Sequence, residues 1–447
     1  MYLLTNGRVI TRDEGGKGYY EKGAVAYEGT KIVEVGEEAA LRAKYPQAEI
    51  IDARGGVIMP AFINAHTHIY SALARGLSIV GNNPTNFYEV LDGTWWAMDR
   101  KLTLEGSRAS ADALYIDCIK QGVTTIFDHH AAYCEIPGSL FQIGESAKKF
   151  GIRSCLCYEV SDRDGEEKCL QAIKENADWI TYCEQQKDPM LAAMFGGHAL
   201  FTISDKTFDR MVEANNGRTG YHIHVSEGMN DVYDSLQNYG RRPVQRLQDH
   251  GILGEKTILG HCIHVNTAEM EIIKETGTMV VNNPESNMGN AIGICPVIQL
   301  YKRGILLGMG TDAYTNDMLE SLKVARCSQR SQNCLPNVGW CEVTDMLFKN
   351  NAKMAERCGF PTLGVLKPGA AADVIVMDYK PYTPFSDANI DGHMLFGMTG
   401  RQCQTTMING KIVMKDRVLT EIDEEAVNAH VLESAKRLWG KLNHCEY

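Results

Sequence analysis

Little in this chain suits a partner of negative charge, a membrane or a disulfide framework. Basic residues are the minority. Against 56 Asp and Glu stand 45 Lys and Arg, a net charge of -11, which argues against nucleic acid or an anionic membrane surface as partner and is read as solubility. No stretch approaches the roughly 18 consecutive apolar residues of a membrane span. Residues 1–11 alternate like a strand and lack a basic n-region and cleavage pattern, so no signal peptide is expected. The 14 cysteines are scattered, with no C-x-x-C pair. Several, such as Cys155, Cys157 and Cys262, sit in apolar strand-like runs, where a thiol behaves as a small buried hydrophobe. Free thiols in this number point to a reducing cytoplasm. Internal repeats and low-complexity segments are also missing.

What is there is an ordinary globular composition, 44% hydrophobic and 23% charged over 447 residues, enough for one large domain and a smaller one. Both ends of the chain read as short strands and turns. Near the start, residues 24–35 form a hairpin pattern with Glu28-Gly29 at its tip, and strand-like texture returns at 373–377 and 406–414. A small composite β-sandwich domain built from residues 1–56 and 364–420 is therefore expected. Residues 421–447 hold an amphipathic helix, with Ala426, Val427, His430, Val431, Ala435, Leu438 and Leu442 roughly on one side. The middle, 57–363, alternates short apolar strands with helical stretches, the pattern of a parallel sheet. Eight strands are expected there, at 57–64, 124–127, 153–158, 200–203, 221–225, 257–259, 278–281 and 305–309. Eight βα units make the fold class α/β, a distorted TIM (β/α)8 barrel, with its active site at the C-terminal strand ends.

Chemistry-bearing residues collect at those ends. His66-Thr67-His68 closes the first strand, and alternation along a strand points residues i and i+2 the same way. Two converging imidazoles are half of a first-row metal site. His224 ends the fifth strand, His261 the sixth, and Asp312 follows the eighth. His224 is taken as the third imidazole and His261 as placed to polarise substrate or hydroxide; three His and one Asp leave room for a water, whose pKa a metal lowers to about 7 in favourable sites. Glu227, just beyond His224, is placed as a proton shuttle. His222 shares a face with His224, and His264 lies one residue out of step; both are expected to be structural. Gly308 and Gly310 allow close backbone approach. A second metal in such barrels usually uses a bridging ligand, often a modified lysine, at the end of strand four. Lys206 lies beyond that end, so one metal is expected. Substrate contacts are sought in Arg75 and Trp96, within the long insertion after strand one, in one of His129 and His130 after strand two, and in Asn283 after strand seven. A Trp there could stack on a flat heterocycle.

The segments Met59-Pro60-Ala61-Phe62-Ile63-Asn64-Ala65-His66-Thr67-His68, Gly122-Val123-Thr124-Thr125, His224-Val225-Ser226-Glu227, Gly260-His261-Cys262 and Gly310-Thr311-Asp312 together resemble the amidohydrolase superfamily. They are most similar to its branch of cytosine, guanine and S-adenosylhomocysteine deaminases and triazine hydrolases. The segment 366–373 resembles that family's return into its small domain. Trp95-Trp96-Ala97-Met98-Asp99-Arg100 and Phe127-Asp128-His129-His130-Ala131 resemble the SsnA-type aminohydrolases, a subgroup associated with anaerobic purine metabolism. The resemblance implies that His66, His68, His224 and Asp312 hold one Zn2+ or Fe2+, and that a hydroxide formed there attacks a carbon bearing an exocyclic amine. It further implies that His261 and Asp312 orient and deprotonate the water, while Glu227 protonates the ring nitrogen and the departing ammonia. The implied enzyme is an aminohydrolase acting on a C–N bond of a purine-like or pyrimidine-like cyclic amidine. Loss of chloride, or opening of a cyclic amide of imidazolone type, is the alternative at the same site. A small heterocyclic partner and a homodimer or larger assembly are implied as well. Ala61 replaces the family's usual glycine, and Glu285 stands where a neutral residue is common.

Overall fold

The first apolar run divides at Ala61, although the sequence pattern reads 57–64 as one strand. In the computed structural model, which describes residues 1–447, Val57–Pro60 pairs with Tyr2–Ile10 on one side and Val374–Met377 on the other. Phe62–Thr67 instead pairs in parallel with Val123–Asp128. Val57–Pro60 thus belongs by hydrogen bonding with the strands of the two chain ends. Those strands form one nine-stranded sheet, which takes in Tyr19–Glu28 and Lys31–Glu37 from the start of the chain and Cys403–Ile408 and Lys411–Lys415 from its end. Leu4, Val25, Ile32, Ile58, Val374 and Met407 meet in its core. This is the small composite domain.

The barrel consists of two parallel sheets. Phe62–Thr67, Val123–Asp128, Arg153–Leu156 and Leu191–Ala193 form one; Phe195–Ala199, Tyr221–Val225, Ile258–His261, Met279–Asn282 and Leu307–Met309 form the other. The fourth barrel strand is therefore 191–199, broken at Met194. It does not lie at 200–203, where the chain makes a 3-10 turn, Leu200–Thr202. Gly196 and Gly197 disguise this strand as a loop. A Cβ at Gly196 would come within 2.3 Å of the Tyr158 carbonyl oxygen, so neighbouring backbone demands the glycine that weakens the strand signal. The ring closes where Thr67 bridges Asp312 and where Asn64 Nδ2 donates to Thr311 Oγ1 at 2.7 Å. Strand side chains Ile63, Phe127, Cys155, Met194, Ile258 and Met279 form one cluster, and contributions from so many strands can meet only in the barrel interior.

Glu424–Asn443 is the closing helix, capped by Asp423, whose side chain accepts from the Ala426 amide at 3.0 Å. Trp439 Nε1 donates to the Leu73 carbonyl at 2.7 Å, which ties this helix to the insertion after strand one. All 14 cysteines are free, and no helix is long and apolar enough to cross a membrane.

A buried ion pair joins the barrel to the nine-stranded sheet. Arg153, on the third barrel strand and fully buried, bonds to Asp373 and donates from Nη2 to Asn409 Oδ1 at 3.0 Å. Asp373 Oδ1 also accepts from the Asn409 amide at 2.8 Å. Removing one member of such a pair leaves an uncompensated charge out of water. Asp373→Ala is expected to cost about 3–5 kcal/mol, read as a fall in the urea unfolding midpoint; an unchanged midpoint would contradict this role.

Candidate metal centre

Four barrel strands deliver the residues of the centre. Pairing along strand one slips between Asn64 and Thr67, and beyond the slip both His66 and His68 reach the group formed by His224, His261 and Asp312. The ligand atoms of His66, His68 and His224 lie within 4.8 Å of one another, as do those of His66, His261 and Asp312. Ser226, His261, Cys262 and Asp312 all have positive φ, between 48° and 68°. For residues with a Cβ this conformation costs on the order of 1–3 kcal/mol each, and here it turns the chain sharply at three strand ends. Gly310 has no room for more than hydrogen, since a Cβ would sit 2.7 Å from the His66 carbonyl oxygen and 2.5 Å from Asn283 Oδ1. The glycine lets strand eight approach strand one and brings Asp312 to the histidines.

Hydrogen bonding determines which face each imidazole offers. His68 Nδ1 donates to the His129 carbonyl at 2.6 Å, and His224 Nδ1 donates to the His198 carbonyl at 2.8 Å. Each Nε2 therefore carries a lone pair, yet the two Nε2 atoms face one another at 3.3 Å. His66 Nδ1 contacts His222 Nε2 at 2.8 Å, and its own Nε2 is buried without a partner. Asp312 Oδ1 lies 3.3 Å from His68 Nε2. Burial holds His66 and His224 well below the usual imidazole range. His68 is also lowered, chiefly by burial and against the pull of Asp312. Burial would raise the Asp312 carboxyl, but His68, His261 and the Ser286 hydroxyl, 2.6 Å from Oδ2, hold it below the ordinary carboxylate value. The lone pairs of His68 and His224, the unpartnered Nε2 of His66 and the Asp312 carboxylate thus converge. That is a costly arrangement unless a cation occupies the middle, and its N3O donor set fits a first-row divalent metal. The side groups that fix the rings are those expected around metal-binding histidines.

His261 points its Nδ1 at Asn287 Oδ1, 2.7 Å away. Its Nε2 is left 3.5 Å from both Asp312 Oδ2 and Glu227 Oε1. Glu227 lines the pocket with His68, His224 and Asp312, and burial, followed by the nearby Asp312, pushes its carboxyl well above the ordinary range.

The other expected site residues divide. Trp96 lines the pocket with Tyr70 and Trp95. Arg75 is bound outside it to Asp117 at 2.8 Å, with a largely exposed side chain, although it borders an outer cavity at the mouth. His130 turns away, its Nε2 3.3 Å from Ser107 Oγ, and burial drops it to about 3. His129 is buried beneath the pocket with its Nδ1 3.2 Å from Glu159 Oε2. Asn283 is buried against Gly310 with neither side-chain polar atom partnered. His222 is no idle core residue, since it orients His66. His264 is structural, 2.9 Å from the Ile292 carbonyl. Sequence reasoning missed Glu159 and His198, which also line the pocket. Glu159 follows the third strand by three residues, and His198 lies in the strand concealed by its two glycines.

Glu285, the second departure from the family pattern, lies off the His66, His68, His224 and Asp312 cluster, with Ser321 Oγ 3.4 Å from Oε1. Burial, then Glu320 and Asp317, raise its carboxyl to about 7. Its protonated form is favoured by folding, so stability falls as pH rises from the unfolded value near 4.5 through about 7. Glu285→Gln should raise Tm relative to the parent more at pH 8 than at pH 5; a gap that narrows with pH would contradict the assignment.

Known proteins share this architecture. The chain is 31% identical over 413 residues to a 5'-deoxyadenosine deaminase of Methanobrevibacter smithii, covering 91% of each chain. It superposes on a zinc-bound adenosine deaminase of Xanthomonas campestris with TM-score 0.83 and 23% identity, over 98% of each chain. A zinc-bound atrazine chlorohydrolase of Arthrobacter aurescens aligns with TM-score 0.81 and 23% identity, over 97% of this chain and 100% of that one. Residues 23–48 match the imidazolonepropionase-like composite domain of bacteria. Residues 57–413 match the amidohydrolase family, and the chain belongs to that family.

Proposed function

We propose that this protein hydrolytically deaminates a purine-like or pyrimidine-like heterocycle, converting a ring C–NH2 and water to a ring C=O and ammonia. The observation that carries the reading is the convergence of His66, His68, His224 and Asp312 with His261 Nε2 within 3.5 Å of both Asp312 and Glu227. His66, His68, His224 and Asp312 would hold one divalent cation, Zn2+ before Fe2+. Bound there, it supplies Lewis acidity that makes a water a competent nucleophile near pH 7.

The chain's own groups do the rest. Asp312 accepts the proton of the attacking water, and His261, its tautomer fixed by Asn287, directs that water's second hydrogen through its Nε2 lone pair. The acid-crowded position of Glu227 favours its protonated form. It donates to the ring nitrogen beside the reacting carbon and then carries a proton to the leaving amine. Trp96 and Tyr70 offer aromatic faces to a flat ring. The similarity to a 5'-deoxyadenosine deaminase supports a purine substrate. The similarity to an atrazine chlorohydrolase favours chloride displacement as the second reading, because the same groups serve and only the leaving group changes. The free thiols suit a cytoplasmic setting, in which we place a homodimer or larger assembly.

The test is ammonia release by zinc- or iron-loaded protein over a panel of aminopurines, aminopyrimidines and aminotriazines, with chloride release from chlorotriazines in parallel. Ammonia from an aminopurine or aminopyrimidine supports deamination. Chloride without ammonia would replace it with the second reading.

A further inference from the structure

We propose that Asp231 is a positioning residue for Glu227, clamping the turn that carries this acid; the proposal rests on the deaminase reading of the preceding section. The chain turns sharply just before Glu227. The strand Tyr221–Val225 ends, Ser226 takes a φ of 48°, and the helix Met229–Tyr239 starts three residues later. A serine in the left-handed region is strained by its Cβ and holds that conformation only where surrounding groups enforce it.

Asp231 supplies the enforcement. It lies in the first turn of the helix Met229–Tyr239, where the helix dipole favours a negative charge, and it is 1% exposed. Its Oδ2 accepts from the Ser226 amide at 2.7 Å, and its Oδ1 accepts from the Phe201 amide at 3.1 Å. The Ser226 carbonyl in turn accepts from the His264 amide at 3.0 Å. The Ser226 hydroxyl has no partner, so the turn is held through its backbone, and Asp231 is the side chain that holds it. Two converging N–H donors call for a carboxylate. An amide side chain has one oxygen to offer, and its NH2 would face the second donor.

The same carboxylate reaches the aromatic wall of the pocket. Phe201 packs against Trp96 and His198, with ring centroids 6.4 and 5.9 Å apart, and Trp96, His198 and Glu227 line the pocket together. Asp231 does not line it. Its effect on the reaction therefore runs through Glu227, whose Oε1 is 3.5 Å from His261 Nε2. A turn released at Ser226 to an ordinary negative φ would swing Glu227 out of that position.

The test is a double-mutant cycle on ammonia release from the best substrate of the panel. Asp231→Asn alone is expected to lower kcat by about 100-fold, the loss that a misplacement of about 1 Å can cause, with KM little changed and metal per chain at the parent value. In a Glu227→Gln background the same change is expected to lower kcat by no more than about twofold, because the acid it positions is already gone. A merely structural role would lower both backgrounds alike. Hydrogen exchange at the Ser226 amide needs no substrate and should be at least about tenfold faster in Asp231→Asn, as the turn opens locally. If Asp231→Asn does not fold, Asp231→Glu, which keeps both acceptor oxygens at shifted positions, runs the same cycle. Equal losses in both backgrounds, a rise in KM at unchanged kcat, or unchanged Ser226 exchange would overturn the proposal. A parent with no turnover on the panel would overturn the deaminase reading instead, and Ser226 exchange alone would then decide the clamp.

Discussion

Glu227→Gln is expected to lower kcat by about a thousandfold, within the roughly 100- to 10,000-fold range of a general acid-base group, with no loss of metal at His66, His68, His224 and Asp312. The side chain sits above the ligands and touches His261 at 3.5 Å. It is not one of the atoms that converge on the cation. Glutamine keeps its size and one hydrogen-bonding oxygen but has no acidic proton for a ring nitrogen or a departing amine. The expected signature is a fall in kcat with a small change in KM, since a group that acts on developing charge contributes mainly to the transition state. Steady-state kinetics on the best substrate of the heterocycle panel, with metal analysis on the same sample, make the check. A Glu227→Gln enzyme within tenfold of the parent would remove the proposed shuttle. A variant that is inactive because it is empty of metal would show Glu227 to be a ligand instead.

The second large effect belongs to His68. His68→Ala is expected to abolish measurable turnover and to weaken metal binding by more than the roughly 10- to 100-fold that loss of an outer hydrogen-bond partner costs. His68 is the hub of the centre. Its Nε2 lies 3.3 Å from His224 Nε2 and 3.3 Å from Asp312 Oδ1, and its Nδ1 is anchored to the His129 backbone at 2.6 Å. Alanine removes one of the proposed ligands and opens a hole between the others. In metal-free protein the same change should be tolerated, because it also removes one of two facing lone pairs. Calorimetry should show apo His68→Ala unfolding no earlier than the apo parent, and the metal-dependent rise in Tm should be lost. Full activity, or an undiminished metal-dependent rise in Tm, would contradict the centre.

The parts legible in the sequence are those written in local spacing. His66-Thr67-His68, His224 with Glu227, His261 and Asp312 could be picked out because each follows a short apolar run, and the alternation of a strand says where its last side chains point. The composite domain was legible for the same reason, from turn-punctuated strands at both ends. What the sequence hides depends on contacts between distant segments. Val57–Pro60 looks continuous with strand one; only its pairing with Tyr2–Ile10 and Val374–Met377 assigns it to the other sheet. Phe195–Ala199 looks like a loop because the Tyr158 backbone requires glycine beside it, so His198 went unread with it. Glu159 has no motif at all: its meaning comes from His129 and His198, which reach it from strands on either side. Of two adjacent histidines the sequence could say only that they face opposite ways. The structure turns His129 toward the centre and His130 toward Ser107.

The central claim is that the lone pairs of His66, His68 and His224 and the Asp312 carboxylate surround one divalent cation that the chemistry requires. Anomalous diffraction at the zinc edge from crystals of zinc-loaded protein tests it directly. The account predicts a strong peak about 2.0–2.2 Å from the Nε2 atoms of His66, His68 and His224 and from an Asp312 oxygen, absent from crystals of His68→Ala. A zinc-loaded, active protein with no peak at that position would contradict it.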